Sequence, residues 1–447
     1  MTVKTPILDF VRRYAKDDTL RLHMPGHKGV GALGIEGLDI TEIEGADSLF
    51  EAEGIIRESE EYASKLFSCK TLYSTEGSSL CIRAMMYLVC LYAKEKGISP
   101  LIFASRNVHK SFLSAAVLLD FDIEWLYPQE EESYLSCNIT PQSLQNSLDE
   151  ADIRPVAVYV TSPDYLGNTL DIQGLSEVCK KNDVLLVVDN AHGAYLKFLP
   201  QSSHPIDLGA DMCCDSAHKT LPVLTGGAYL HINENAPHIF SCNAKNALSL
   251  FASTSPSYLI LQSLDFANKY ISEEYTESLH AFLKHISALK ATLTVHGYTL
   301  LEKEPLKITI DAKKYGYYGK EFATILAENN IECEFSDNDF VVLMLTEQTG
   351  EKGIKILEES LLQIPRKNTI SAVAPKISRP KKVLSLRDAA FSCNETIPAH
   401  DSLGRVLAFS GVSCPPAVPI VTGGELIDEN CIKAFEYYSI KKCVVTK

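Results

Sequence analysis

Val184-Leu185-Leu186-Val187-Val188-Asp189-Asn190-Ala191-His192 and Asp215-Ser216-Ala217-His218-Lys219-Thr220-Leu221-Pro222 are the two stretches from which the rest of this 447-residue chain is read. The first is a strand-sized apolar run closed by a carboxylate. The second sets a lysine directly after a histidine and three residues after a serine, on a tight turn that follows the short apolar run around Cys213-Cys214. Working outward, Leu80 to Lys96 reads as a buried helix, Leu101 to Ala104 as a strand, His109 to Leu119 as a helix and Ile123 to Leu126 as a strand. Val156 to Thr161 then reads as a strand, Gln173 to Lys181 as a helix and Val184 to Val188 as a strand. Alternation of this kind predicts βαβ units in a mostly parallel sheet with helices on both faces. Ligands of such sheets lie beyond the carboxyl ends of the strands, where Asp189 and Ser162 fall.

Beyond this region Ser257 to Leu293 is a long helical pattern, and Leu306 to Ile310, Glu321 to Asn329, Phe340 to Leu345 and Gly353 to Leu362 read strand, helix, strand, helix. The predicted domains are an N-terminal arm over residues 1–54, a large domain over 55–293 and a small α/β domain over 294–364. A basic, Pro-rich linker over 365–382 and a C-terminal domain over 383–447 complete the chain.

Composition sets bounds. A content of 46% hydrophobic and 22% charged residues is that of an ordinary globular protein. No apolar run approaches the roughly 20 residues of a membrane helix, and Met1 to Arg12 lacks a signal peptide's apolar region, so a cytoplasmic protein with no membrane partner is expected. Thirteen cysteines without Cys-x-x-Cys pairs predict reduced, mostly buried thiols and no metal site. A net charge of -15 argues against nucleic acid, whose phosphates need clustered Lys and Arg, and suits a cationic substrate.

An aspartate closing a strand and a lysine on the turn after the next one are what pyridoxal phosphate requires. The lysine attaches the cofactor, and the aspartate keeps the ring nitrogen protonated so that the ring can act as electron sink. Each feature alone has an ordinary reading, a solvated lysine or a capped strand end. Together with Leu22-His23-Met24-Pro25-Gly26-His27-Lys28-Gly29, Glu76-Gly77-Ser78-Ser79, Arg106-Asn107-Val108-His109-Lys110-Ser111, Thr161-Ser162-Pro163-Asp164-Tyr165 and Ser253-Thr254-Ser255-Pro256-Ser257-Tyr258, they form an ordered series. With Pro415-Pro416-Ala417-Val418-Pro419 and Gly424-Glu425, the series resembles the bacterial ornithine/lysine/arginine decarboxylase family in its short form, among the fold-type-I pyridoxal-phosphate enzymes.

That resemblance implies a fold and a site. The fold is a fold-type-I transferase-like large domain with smaller α/β C-terminal domains. The cofactor phosphate would be held by Gly77, Ser78, Ser79, Ser216 and His218, and the ring by Asp189, with His109 stacked on one face, Ala191 packed on the other and His192 at its rim. Lys219 would be the attachment point, and Lys219 or His218 the proton donor. Thr225 and Ser255 lie in segments that reach the neighbouring subunit's cofactor in the family, which implies a homodimer or an assembly of dimers. Glu425 is a candidate reader of the substrate's distal cation. His23 and the Gly26-His27-Lys28 turn would fold over the mouth of the site; the acidic residues Asp39 to Glu44 and Asp47 read rather as a solvated loop.

The activity implied is decarboxylation of arginine, lysine or ornithine to the corresponding amine. Three departures stand against it: Glu76 where a neutral amide is expected, Asn190 where an acid is expected, and Phe50 in place of a histidine. They keep open a catalytically weak homologue that acts as a partner protein. An aminotransferase on the same fold also stays open, since Arg379, Arg387 or Arg405 could clamp an α-carboxylate.

Overall fold

Seven strands carry the expected alternation: β1 (Lys70–Ser74), β2 (Leu101–Ser105), β3 (Asp122–Leu126), β4 (Ala157–Thr161), β5 (Leu185–Asp189), β6 (Met212–Asp215) and β7 (Ala228–Ile232). They come from a computed structural model that describes residues 3–128, 133–301, 304–376, 379–409 and 416–447. Pro415 of the quoted C-terminal segment, Met1 at the start, and Ile377 and Ser378 of the expected linker lie outside the described residues. The chain divides into one unit of Met1–Ser99 with Cys179–Ser278 and another of Pro100–Val178 with Leu279–Lys447.

In the first unit the strand order is β1, β7, β6, β5. β5 and β6 run parallel, with Val187 beside Met212 and Asp189 beside Cys214, while β7 is antiparallel to both β6 and β1. Every residue of β5 is buried, as a continuous Leu-Leu-Val-Val run demands, because a strand covered on both faces has no position for a polar alternation. The helix Gly77–Lys96 is apolar around most of its circumference for the same reason. It buries Leu80, Cys81, Met85, Met86, Leu88 and Val89 and stops where Gly97 takes a left-handed φ of 69°.

Two carboxylates tie the N-terminal segment to this unit. Thr5, at the cap position of the helix Pro6–Tyr14, makes no side-chain cap bond. Asp265 does that work from a distant helix: its Oδ2 accepts from the amides of Ile7 at 2.9 Å and Leu8 at 3.0 Å, and its Oδ1 accepts from Ser59 Oγ at 2.6 Å. Asp47 accepts from the amides of Ser48, Gly54 and Ile56 at 2.8 to 2.9 Å and so opens the helix Ile55–Phe67. Asp47 is therefore an organising residue, whereas its sequence neighbourhood had suggested only a solvated loop. The expected long helix is present as Tyr258–Tyr270, a π turn at Ile271–Tyr275, and Thr276–His296.

The second unit holds β4, β2 and β3 in that order, all parallel. A four-stranded antiparallel sheet orders Phe335–Ser336, Phe340–Met344, Lys307–Asp311 and Leu300–Leu301, with the helices Gly319–Glu328 and Gly350–Gln363. A three-stranded sheet follows, of Asn394–Pro398, Lys442–Thr446 and Leu407–Phe409. Arg106, just past β2, is buried against Glu425 at 3.1 Å, donates to the carbonyls of Pro419 and Ile420, and lies 5.0 Å from the Trp125 ring. Removing either partner of such a pair strands a buried charge and costs about 3–5 kcal/mol.

Burial pushes the Asp265 carboxyl up to about 7, against the Ser59 and amide donors that oppose the shift. A folded value above the ordinary 3.8 means that its contribution to stability is complete below 3.8 and is lost as pH rises through 7. Asp265→Asn keeps two acceptor bonds and a donor to Ser59 without ionising. Thermal unfolding is therefore expected to show the wild-type protein losing ground to the variant between about pH 4 and pH 7, by about 4 kcal/mol at most, with no further divergence above pH 7. Parallel pH profiles for the two proteins would show that Asp265 does not titrate in this range.

Candidate active site

β5 delivers Asp189 at its end, 2% exposed, where Oδ1 accepts from the Ala191 amide at 3.2 Å and from Cys214 Sγ at 3.7 Å. The ladder runs one residue further, with the Asn190 amide donating to the Cys214 carbonyl at 3.0 Å. β6 ends at Asp215, and Ser216 opens the single helical turn Ala217–Thr220 that presents Lys219. Lys219 Nζ lies 3.0 Å from His192 Nε2. Which of these two nitrogens donates depends on the tautomer of His192. The sequence placed His192 at the cofactor's rim; its position as the direct partner of the lysine is finer than that.

Gly77, Ser78 and Ser79, where an anion cradle is expected, lie in this unit. These residues form the first turn of a 20-residue helix whose cap position, Glu76, makes no side-chain cap bond. The positive end of the helix is therefore not capped by the Glu76 side chain. Ser216 Oγ donates to Ser78 Oγ at 2.8 Å, which brings the hydroxyls from the two motifs together. The Gly77 amide is satisfied by the Gly226 carbonyl at 2.7 Å. Gly226 itself must be glycine, since its φ is 100° and a Cβ would stand 3.0 Å from the Thr75 carbonyl oxygen.

His218 Nδ1 lies 3.0 Å from the Gly227 carbonyl. Thr225 and Ser255 are exposed on this unit. Glu76 turns its carboxylate to the Ser253 amide at 2.7 Å, which resolves the unfavourable prospect of an acid facing a phosphate.

A helix N-terminus with two hydroxyls, a buried aspartate at a strand end and a lysine on the next turn are the donor set that pyridoxal phosphate needs, and these residues fit it. The remaining expected residues sit in the second unit. His109 caps the helix Lys110–Leu119, accepting from the Ser111 amide on Nδ1 at 3.2 Å. Glu425 is 2% exposed and its Oε2 accepts from Arg106 and, at 2.7 Å, from the Thr422 amide. That carboxylate is already neutralised and is poorly placed to read a substrate cation.

Sequence reading missed one group altogether. Asp215, quoted only as the start of the lysine segment, is fully buried with His204 and His231, both Nε2 atoms lying 3.1 Å from its Oδ2. The period-2 spacing of Cys213 and Asp215 on β6, with His231 opposite Cys213 on β7, was the available signal.

Residues 5–303 match the family described as Orn/Lys/Arg decarboxylase, major domain. The chain is 29% identical to the arginine decarboxylases of Halalkalibacterium halodurans and of Bacillus subtilis (strain 168), over 96% of this chain and 92% of each relative. Among solved structures, the lysine decarboxylase LdcF of Francisella novicida superposes with a TM-score of 0.79 at 18% identity, covering 100% of this chain and 81% of that one. The constitutive lysine decarboxylase of Escherichia coli gives 0.75 at 16% identity, over 99% and 82%. A NifS-like protein gives 0.57 at 14% identity over 81% of this chain. At these identities structural likeness speaks for the fold alone, which is that of the fold-type-I pyridoxal-phosphate enzymes. Because the family match spans well over half of its length, the chain belongs to the Orn/Lys/Arg decarboxylase family.

Proposed function

We propose that this protein is a pyridoxal-phosphate-dependent decarboxylase that converts arginine, lysine or ornithine to the corresponding amine and CO2. The observation that carries the reading is the placement of Asp189, Lys219 and the Ser78–Ser216 pair at the strand ends of one unit, with Lys219 Nζ 3.0 Å from His192. The relatives named arginine decarboxylase support the substrate class.

When bound, the cofactor supplies an electron sink for the charge left as CO2 departs. The chain's residues do the rest. Ser78, Ser79 and Ser216 hold the phosphate at the helix N-terminus. Asp189 holds a proton on the ring nitrogen. His192 Nε2 can take a proton from the Lys219 ammonium, which frees the neutral amine needed for attachment. His109 is assigned to the ring face and Ala191 to the opposite face on the family resemblance. Lys219 or His218 would return a proton to Cα. A cytoplasmic setting fits this activity, and none of the described cysteines is in a disulfide. Among the described residues no helix is long and apolar enough to cross a membrane.

The arginines that would serve an aminotransferase are engaged elsewhere. Arg387 donates to the Val117 carbonyl at 2.9 Å, Arg405 to Glu395 at 2.8 Å and to the Thr446 carbonyl, and Arg379 lies over the Tyr127 ring. An assembly of two copies is part of the proposal. Leu20, Leu22, Met24, Val30 and Leu33 are between 64% and 82% exposed within a short segment, a density of apolar surface that solvent does not favour.

Purified protein with cofactor and each of the three amino acids is expected to give one dominant amine, agmatine, cadaverine or putrescine, with equimolar CO2. A keto acid without CO2 would overturn the reading. Borohydride reduction and peptide mapping should place the pyridoxyl group on Lys219; labelling at Lys110 or Lys28 would displace the site.

Asp189→Ala should leave the fold intact and lower kcat by a factor of about 10³ or more, the scale on which a buried electrostatic partner acts. Turnover at the wild-type rate would mean that the ring nitrogen has another partner.

Mixing Lys219→Ala protein with an inactive variant in the Thr225 or Ser255 segment should recover part of the activity through mixed dimers. A fully active monomer by light scattering would exclude shared sites.

A further inference from the structure

Behind the strand ends lies a buried polar group to which the reaction above gives no part. Asp215, Asn190, His204 and His231 are all 0% exposed. Asp215 Oδ1 accepts from Asn190 Nδ2 at 2.6 Å, and its Oδ2 lies 3.1 Å from each of His204 Nε2 and His231 Nε2. His231 Nδ1 is 2.9 Å from Thr71 Oγ1. The ring of Phe67 closes the group, 4.5 Å from the His231 ring and 5.6 Å from the His204 ring by centroids.

The two Nε2 atoms and the carboxylate oxygen lie within 4.8 Å of one another, a spacing that could also hold a metal ion. Protonation decides against it. Metal-bound Nε2 atoms would put both protons on Nδ1, and His204 Nδ1 has no hydrogen-bond partner. A buried N–H without an acceptor is the rarer and costlier orphan, so both Nε2 atoms carry protons and donate to Asp215. Burial would push the Asp215 carboxyl up, but the two imidazoles outweigh it and hold it well below the usual carboxylate range. Burial pushes His231 down. The group is one buried carboxylate with three donors.

The position of this carboxylate gives it a role. Asp215 is the last residue of β6 and directly precedes the lysine turn, while Asn190 directly follows Asp189. The Asn190–Asp215 bond therefore joins the two strand ends beyond the last ladder bond. His231 on β7 stands opposite Cys213, and Thr71 on β1 stands opposite His231, so the group reaches across all four strands of the unit's sheet. We propose that Asp215 is a positioning residue, which through Asn190 and the turn at Ser216 sets Asp189 and Lys219 in register for the cofactor. This rests on the cofactor reading given above.

The test is Asn190→Asp, which would put two carboxylates at hydrogen-bond distance, together with Asn190→Asp/Asp215→Asn, which exchanges acid and amide. In the double variant the new amide oxygen can accept from both imidazoles while its NH2 donates to the new acid. Unfolding of the cofactor-free protein is expected to fall by about 5 °C or more in the single variant and to recover in the double. In the loaded enzyme the single variant should lose most of the induced circular dichroism of the bound cofactor and about 10²-fold in kcat with little change in KM, and the double should regain both.

A double variant worse than the single refutes the pairing. A fall in unfolding temperature with wild-type dichroism and kcat refutes the positioning role and leaves only a structural one. Wild-type protein without cofactor dichroism or label at Lys219 refutes the cofactor reading and the positioning role with it, and is told apart because rescue of unfolding would persist without cofactor.

Discussion

The parallel pairing of β5 with β6 is the constraint on which the site depends. Its register sets Asp189 beside Cys214, so two segments far apart in sequence end at one edge. A parallel pair needs a crossover between its strands, and that crossover leaves both carboxyl ends free of a tight hairpin. The residues past those ends can then be chosen for chemistry, with Asp189 held by the Ala191 amide and Ser216 opening directly into the lysine turn. The antiparallel β7 adds a different service: its returning loop supplies Gly226 and Gly227, whose carbonyls hold the Gly77 amide and His218. A position that needs φ 100° with the Thr75 carbonyl 3.0 Å from any added Cβ explains why that loop is glycine-rich.

Buried carboxylates recur as fasteners in the first unit, and their partners decide their charge. Asp265 meets two amides and a hydroxyl, which do not overcome burial, and its carboxyl is pushed up to about 7. Asp215 meets two imidazoles and an amide, and stays ionised. Glu60 is raised too: burial pushes its carboxyl up, and Lys245 at 2.6 Å and the Tyr73 amide oppose the shift. An unpaired carboxylate in any of these places would be untenable. Burial therefore selects for positions where N–H groups converge on the carboxylate.

Much of this was legible in the sequence because the signals were local. Val184 to Val188 is apolar at every position, which a covered strand produces, and the structure has Leu185–Asp189 there. Leu80 to Lys96 lacks any polar face, and it is the buried helix Gly77–Lys96. Thr161-Ser162 and Asp189 fell at strand ends because periodicity stops there. What was illegible depends on pairing between distant residues. Asp265 as the cap of a helix some 250 residues earlier, the Arg106–Glu425 pair across more than 300 residues, and the His204–Asp215–His231 group have no spacing signature. Asp47 was misjudged for the same reason: an acidic run reads as solvated until the amides that converge on it are in place.

The departures from the family pattern bear on whether the site can work, and the geometry treats them differently. Glu76 would repel a phosphate if its carboxylate faced the helix start, but that oxygen accepts from the Ser253 amide instead. Asn190 brings an amide to a place where an acid was expected, and that amide donates to Asp215, so a carboxylate still stands at the strand edge, supplied from β6 rather than β5. Phe50 lies half-buried in the short turn Leu49–Glu51, and nothing in the structure explains it. Two of the three substitutions are therefore re-paired, Glu76 at the surface by the Ser253 amide and Asn190 in the interior by Asp215.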